Sequence, residues 1–233
     1  MTVGFRHGDP RFPFWSQPDR QPEGRWHGSG EGPVHYLADT PDGAWAEFLR
    51  HEEITEPADL AGVRRRLWAV EFDRAAETER AVPVPRGTAT GGFASYPACQ
   101  AAARQLRGSG TTCLRAPSAA LLPGGAGGEQ VLGPYREGSE RDGVVWVLIG
   151  PRPQVRGWAA VDAGAPTRRV LGLVAHFDEP AVPAAAAGHR TGSDRRSAAD
   201  RRDLVDLTRA ERGQPERRRP GGDQRRGTDR RAR

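Results

Sequence analysis

Apolar and polar positions alternate along the first 180 residues in short blocks that are typical of strands. Five blocks have the apolar and β-branched content that strands prefer. They are VHYLA (34–38), RRLWAVEF (65–72), TTCLRA (111–116), VVWVLIG (144–150) and RVLGLVAHF (169–177). The first 35 residues are instead rich in proline, glycine and aromatic residues. This composition predicts an irregular segment that is held in place by its aromatic side chains.

Two stretches have the spacing of helices. Trp45, Phe48 and Leu49 recur at intervals of three and four, and Thr40-Pro41 offers an N-cap followed by a proline at the first helical position, so a helix is predicted from there to about Glu53. A second helix is predicted at 96–107. Because the elements interleave without regular βαβ spacing or a GxGxxG turn, we expect an α+β fold with a mixed sheet core and flanking helices.

The charge of the chain is concentrated at its C-terminus. All 35 basic residues are arginine, and residues 188–233 hold 15 of them against 8 Asp and Glu. Almost no apolar residue remains there, and such a segment cannot bury enough surface to fold by itself. We therefore predict one folded domain at 1–180 and a disordered arginine-rich tail at 181–233, whose charge predicts weak contact with nucleic acid.

The remaining composition excludes several classes of protein. Two cysteines, Cys99 and Cys113, are too few for a disulfide framework, and the six histidines lack the spacing of metal ligands, so we expect no metal. The N-terminal residues lack the apolar core of a signal peptide, and no apolar run is long enough to span a membrane. The sequence predicts a reduced, cytoplasmic protein without membrane contact.

Candidates for chemistry lie in GRWHGSGEGPVHYLADTPDGAWAEF (24–48). On the predicted helix, Glu47 points away from the apolar stripe, which is typical of a solvated carboxylate. Arg25 lies in a glycine-rich turn, where an arginine is usually at the surface or paired with an acid. Tyr36 lies on a strand, where it usually packs in the core. The pattern alone leaves structural and functional roles open for all three residues.

Four motifs resemble, in their order and spacing, the signature of the RES domain family, which is named for its Arg, Glu and Ser. The motifs are GRWH (24–27), HYLA (35–38), AWAEFLRH (44–51) and RAPSA (115–119), and the similarity covers roughly residues 4–178, including the turn GPRP (150–153). The family's residues match Arg25, Glu47 and Ser118, with Tyr36 as the usual fourth member. The family often has Asn where this chain has His27.

The resemblance implies a fold similar to that of the ADP-ribosyltransferases and a reaction on NAD. Members of the family hydrolyse or phosphorolyse the nicotinamide–ribose bond, or transfer ADP-ribose to a protein. Several are toxins that a helix-turn-helix antitoxin of the Xre type neutralises. The resemblance therefore implies NAD as substrate, an antitoxin as partner, and a toxin-like NAD glycohydrolase or phosphorylase, with a protein ADP-ribosyltransferase as the alternative.

The chemistry of NAD cleavage suits these residue types. Nicotinamide is a cationic leaving group, so one carboxylate, Glu47, suffices to stabilise the positive charge that develops on the ribose. Arg25 offers a planar fork for the pyrophosphate, and the ring of Tyr36 is a candidate for stacking on nicotinamide. Ser118 is predicted either to donate to ribose or phosphate or to cap a helix.

Two further residues, Arg6 and Trp26, are predicted to frame the NAD site or to have a purely structural role. A different class of function is also open. The tail repeats DRR at 194–196, 200–202 and 229–231, which favours a non-catalytic protein that holds nucleic acid through its phosphates. The acidic residues in the tail and its lack of aromatic rings argue against this alternative.

Overall fold

The structure is a computed structural model that describes residues 1–11, 21–131 and 135–177, with the backbone alone at 135–137. Within these residues the strands are β1 (Thr2–Gly8), β2 (Val34–Ala38), β3 (Arg65–Phe72), β4 (Glu79–Ala81), β5 (Cys113–Pro117), β6 (Glu129–Val131), β7 (Tyr135–Glu137), β8 (Val144–Ile149) and β9 (Arg156–Gly164). Seven of them form a mixed sheet in the order β4-β5-β8-β2-β1-β3-β9, and β6 pairs with β7. In the large sheet β4 and β5 are parallel, and the other neighbours are antiparallel.

The α-helices of the described residues are α1 (Pro41–His51), α2 (Arg86–Thr90), α3 (Tyr96–Gly108) and α4 (Arg168–Leu171). Helix α1 begins as its sequence predicts, because the Thr40 hydroxyl accepts a 2.9 Å hydrogen bond from the backbone N–H of Gly43 and Pro41 occupies the first turn. Helix α3 ends at Gly108, where the backbone N–H of Ser109 binds the last carbonyls.

Both long helices cover one face of the sheet. Trp45 and Leu49 of α1 pack in a buried cluster with Leu67 of β3, and Cys99 of α3 packs in a second cluster with Leu114 of β5. Strand β2 contributes alternate side chains to both clusters, which places the clusters on the same face. The opposite face has its own apolar cluster, which includes Leu37, Val70, Trp146 and Leu148.

The mixed α+β fold is confirmed, as are most of its predicted elements. The strands at 34–38 and 65–72 match β2 and β3, and the block at 144–150 matches β8 to within one residue. The helix predicted to end near Glu53 ends at His51, and the helix predicted at 96–107 extends to Gly108. Strand β5 begins at Cys113, two residues later than its apolar block.

Two predictions about elements were wrong. The N-terminal segment is not irregular throughout, because β1 pairs with β3 along seven residues from Thr2 to Gly8. The block at 169–177 is not a strand: the Thr167 hydroxyl accepts from the backbone N–H of Val170, and α4 buries Val170 and Leu171 in the cluster that contains α1. Only Val174 makes an isolated bridge, to Leu121.

The described residues all belong to the first of two compact units, Met1–Glu179. The tail predicted at 181–233 lies outside the described residues. Among the helices of the described part of the chain, none has the length and apolar content to cross a membrane.

Candidate functional site

The GRWH motif forms a tight turn that α3 holds in place. Gly24 and His27 exchange two backbone hydrogen bonds, of 2.9 and 3.3 Å. The side-chain amide of Gln100, on α3, donates to the carbonyl oxygens of both residues at 3.0 and 3.2 Å. A Cβ at Gly24 would lie 2.8 Å from the hydroxyl oxygen of Tyr36, so the close approach of turn and strand requires glycine.

The hydroxyl group of Tyr36 is bound inside this turn. It accepts a hydrogen bond from the backbone N–H of Trp26 at 3.0 Å and lies 2.8 Å from Nδ1 of His27. Nε2 of His27 lies 2.9 Å from the carbonyl oxygen of Pro22, which can only accept, so Nε2 carries the proton and Nδ1 accepts from Tyr36.

Burial reinforces these protonation states. It raises the pKa of Tyr36 and lowers the pKa of His27, so the phenol stays protonated and the imidazole stays neutral. The half-buried ring of Tyr36 is therefore fixed in orientation by its own hydroxyl group. Because the hydroxyl group has both of its partners inside the turn, only the ring, which packs against the cluster that contains Trp26, is a candidate for contact with a ligand.

Arg25 is buried, with 8% of its surface exposed. Nη1 donates to the hydroxyl of Ser95 at 2.9 Å and Nη2 to the carbonyl oxygen of Gly91 at 2.7 Å, while the guanidinium lies 4.7 Å from the ring centroid of Tyr96. These bonds use two of the five N–H donors of the guanidinium. The segment between α2 and α3 thus fixes the plane of the fork and leaves other donors for an anion.

Glu47 lies on the side of α1 away from Trp45 and Leu49, as the helical spacing predicts. Its side chain is 26% exposed, and one carboxylate oxygen lies 3.7 Å from Nε2 of His51, one turn further along the helix. The neighbouring Trp45, Phe48 and Leu49 are buried. The carboxylate is thus held at the protein surface by the buried side of its own helix.

Arg50 joins the segments that carry the predicted site, and nothing in the sequence pattern distinguishes it from a solvated helix residue. It is 4% exposed. Nη1 donates to the carbonyl oxygens of Ala119 and of Ala175, the latter at 2.7 Å. Nη2 donates to the carbonyl oxygens of Thr90 at 3.2 Å and Gly91 at 3.1 Å.

A cluster of aromatic rings, Phe93, Tyr96 and Phe177, contacts the guanidinium groups of both arginines. Phe93 stacks on Phe177 with ring centroids 4.7 Å apart and meets Tyr96 at 5.2 Å. Arg25 lies over Tyr96, and Arg50 lies 4.3 Å from the ring centroid of Phe177. Phe93 is 41% exposed, so the cluster presents an aromatic surface to solvent beside two guanidinium groups.

Ser118 follows β5 and is buried. Its hydroxyl oxygen accepts from the backbone N–H groups of Ala120 and Leu121, both at 3.3 Å, and its own N–H donates to the carbonyl of Gly143 at 2.8 Å. The hydroxyl thus caps a turn, which is close to the capping role that the sequence left open, although no helix follows. Both bonds use the hydroxyl oxygen as acceptor, and neither uses its single O–H donor.

Trp26 and Arg6 lie apart from this arrangement. Trp26 is 2% exposed and packs in the cluster between the sheet and α3. Arg6 is on the opposite face of the sheet, because its neighbour Phe5 packs towards α1 and side chains alternate along a strand. Burial lowers the pKa of Arg6 to about 10. Arg50 connects the segments that carry Arg25, Glu47 and Ser118 through the carbonyl oxygens of Gly91 and Ala119, and the side chains of Trp26 and Arg6 pack elsewhere.

A surface cavity of about 330 Å³ lies beside β4 and β5, and its lining includes Val82, Arg86, Ala116 and Asp142. None of the predicted site residues lines it. Pro117 does, so the cavity borders only the segment that leads to Ser118. Arg86 and Asp142 pair with each other at 2.8 Å, which leaves the cavity without an uncompensated charge from this pair.

The segments that carry Arg25, Glu47 and Ser118 therefore meet at Arg50, beside a mixed α+β sheet. The chain belongs to the RES domain family, whose model matches residues 3–132. A chain in the crystal structure of the M. tuberculosis MbcT-MbcA toxin-antitoxin complex is similar in fold, with a TM-score of 0.50 and 16% sequence identity over 73% of this chain and 87% of that chain. A comparison with curated proteins found no match.

Proposed function

We propose that this protein cleaves NAD at the bond between nicotinamide and ribose. The observation that carries the proposal is a convergence of the signature segments. The carbonyl oxygen of Gly91 accepts from Arg25 and also from Arg50, which lies one helical turn from Glu47. Arg50 also binds the carbonyl oxygen of the residue after Ser118. One buried side chain thus connects the segments that carry the Arg, the Glu and the Ser.

Glu47 is the proposed catalytic residue. As the bond breaks, its electron pair leaves with nicotinamide, which becomes neutral, and positive charge develops on the ribose. A fixed carboxylate stabilises that charge and needs no proton to transfer, since the leaving group requires no acid. The partial exposure of Glu47 and its attachment to a well-packed helix suit a group that receives substrate from solvent.

Arg25 and Tyr36 are the proposed binding residues. The guanidinium of Arg25 is held in one plane by Gly91 and Ser95, which suits binding of two pyrophosphate oxygens by its remaining donors. The ring of Tyr36 is fixed by the hydrogen bonds of its hydroxyl group, which suits a rigid stacking surface for nicotinamide. Ser118 contributes its O–H to a ribose or phosphate oxygen.

The acceptor enters after the bond has broken. Water gives ADP-ribose, inorganic phosphate gives ADP-ribose with a phosphate at the anomeric carbon, and a protein side chain gives an ADP-ribosylated protein, each with release of one proton from the acceptor. Incubation of the full chain with NAD, with and without phosphate, followed by mass analysis of small molecules and protein, separates the three. Intact NAD after prolonged incubation with folded protein contradicts the proposal.

We also propose that the protein acts as a toxin with an antitoxin partner. The similarity in fold to a chain of a toxin–antitoxin complex supports this role, and the family resemblance points to the Xre helix-turn-helix type of antitoxin. Induced expression in a bacterial host should deplete cellular NAD and stop growth. The same experiment with Glu47→Gln should leave both unchanged, and equal growth arrest by the two proteins contradicts a toxic effect through NAD.

A further inference from the structure

Arg50 is buried in the middle of the candidate site, and the terminal nitrogens of its guanidinium bind carbonyl groups of the protein itself. Its two terminal nitrogens carry four of the five N–H donors of a guanidinium, and they bind four backbone carbonyls, those of Thr90, Gly91, Ala119 and Ala175. A residue bonded in this way cannot hold the pyrophosphate with the same donors. Its place in the fold indicates a different use.

The four carbonyls belong to three chain segments that are distant in sequence. Thr90 and Gly91 lie 40 and 41 residues from Arg50, Ala119 lies 69 away and Ala175 lies 125 away. Each segment continues into a part of the candidate site. The first leads to Ser95 and the aromatic cluster, the second contains Ser118, and the third leads to Phe177, on whose ring Arg50 lies.

The shared acceptor at Gly91 ties Arg50 to Arg25. The carbonyl oxygen of Gly91 is 2.7 Å from Nη2 of Arg25 and 3.1 Å from Nη2 of Arg50. Two guanidinium groups on one oxygen repel each other, and the negative end of the carbonyl dipole offsets that repulsion. The position of Arg25 therefore depends on where Arg50 holds Gly91.

We propose that Arg50 is a positioning residue for NAD binding, which orients Arg25 and Ser118 by fixing the backbone segments on which they depend. The inference rests on the proposed function. A purely structural role would lower the melting temperature and the folded fraction, and with it the apparent kcat, while folded molecules kept their KM. A positioning role changes KM and the dissociation constant of NAD in molecules that are fully folded.

The test compares Arg50→Met and Arg50→Lys with the wild-type chain, well below the melting temperature of each. We expect Arg50→Met to raise KM and the NAD dissociation constant about tenfold or more, and Arg50→Lys, which keeps the charge without the fork, to restore affinity only in part. Affinities are measured by calorimetry in a Glu47→Gln background, so that cleavage does not interfere. Values within about twofold of wild type in folded Arg50→Met overturn the inference.

Arg152→Met is the matched control. Arg152 also donates to a backbone carbonyl, that of Thr112 at 3.0 Å, and its side chain is 17% exposed, but it pairs with Glu77 away from the candidate site. We expect this variant to melt earlier with unchanged KM. An equal rise of KM in the control contradicts a specific role for Arg50.

If Arg50→Met does not fold, the KM of Gly91→Ala is measured instead. A Cβ at Gly91 would lie 2.9 Å from the carbonyl oxygen of Gly87, so the segment must shift while both arginines stay in the chain. The same rise of KM is expected, and an unchanged KM overturns the inference. If the wild-type chain binds NAD but does not cleave it, only the proposed function is contradicted, because the dissociation constants of NAD still test the role of Arg50. Failure to bind NAD contradicts both.

Discussion

The hydroxyl group of Tyr36 lies 2.8 Å from Nδ1 of His27, and it accepts a 3.0 Å hydrogen bond from the backbone N–H of Trp26. The group thus has a donor and an acceptor partner inside the GRWH turn. His27 stands where the family often has Asn, and its ring reaches both Tyr36 and the carbonyl of Pro22. The hydroxyl group stabilises the turn, so the proposed contact with nicotinamide falls to the ring.

This division of roles predicts different effects for two substitutions of Tyr36. Tyr36→Phe leaves two buried polar groups without their partner, so we expect a loss of about 1–3 kcal/mol in the free energy of unfolding with turnover largely retained. Tyr36→Leu also removes the stacking ring, so NAD turnover should fall strongly. Chemical denaturation and steady-state kinetics measure the two quantities. Equal loss of turnover in both variants would assign the hydroxyl group to the reaction.

Arg25→Lys keeps the positive charge and loses the planar fork. A lysine ammonium cannot donate to Ser95 and Gly91 in the plane of the present guanidinium and also bind pyrophosphate bidentately. We expect NAD to bind about tenfold more weakly or worse, as measured by calorimetry in a Glu47→Gln background. Arg104→Lys is the control, because Arg104 is 53% exposed and pairs with Glu31. Equal affinity of Arg25→Lys and wild type assigns Arg25 a structural role.

The burial of His35 predicts that the free energy of unfolding depends on pH. It is 2% exposed on the face of the sheet opposite α1, and burial, together with the charges of Arg6 and Arg152, lowers its pKa from 6.5 to about 4. A protonated His35 is thus disfavoured in the folded state but not in the unfolded chain. The contribution of His35 to the free energy of unfolding is complete above pH 6.5 and is lost progressively as the pH falls towards about 4. This contribution amounts to about 3 kcal/mol at most.

The measurement is the free energy of unfolding of wild type and of His35→Gln between these pH values. Burial also lowers the pKa values of His7 and His27, so the wild-type total includes more than one residue. The difference between the two proteins isolates His35. A difference that stays constant with pH contradicts the prediction.

Local signals explain which elements could be predicted from sequence. Thr40 and Pro41 start α1, apolar spacing defines its buried side, and a continuous apolar run marks β8. Strands β1 and β9 were not predicted, because β1 contains Arg6 and His7 and β9 is largely exposed. Both are strands because they pair with β3, and pairing between distant segments leaves no local pattern.

The candidate site divides in the same way. The family motifs predict Arg25, Glu47 and Ser118 as site residues, and Arg50 connects the segments that carry them. Arg50 was missed because a charged residue beside Leu49 on a helix normally faces water. Its burial depends on carbonyl groups up to 125 residues away in the chain. The spacing of residues along one helix does not predict hydrogen bonds to carbonyl groups that are so distant in sequence.

Nicotinamide release from NAD by wild type, Glu47→Gln and Glu52→Gln tests the central claim most directly. Glu52 follows α1, is exposed and lies five residues beyond Glu47, so it controls for the loss of one charge at this end of the helix. We expect Glu47→Gln to stay folded and to lose about 3 kcal/mol of transition-state stabilisation, roughly a hundredfold or more in kcat. Glu52→Gln should match wild type. Turnover above about a tenth of wild type in Glu47→Gln would contradict the catalytic role of this carboxylate.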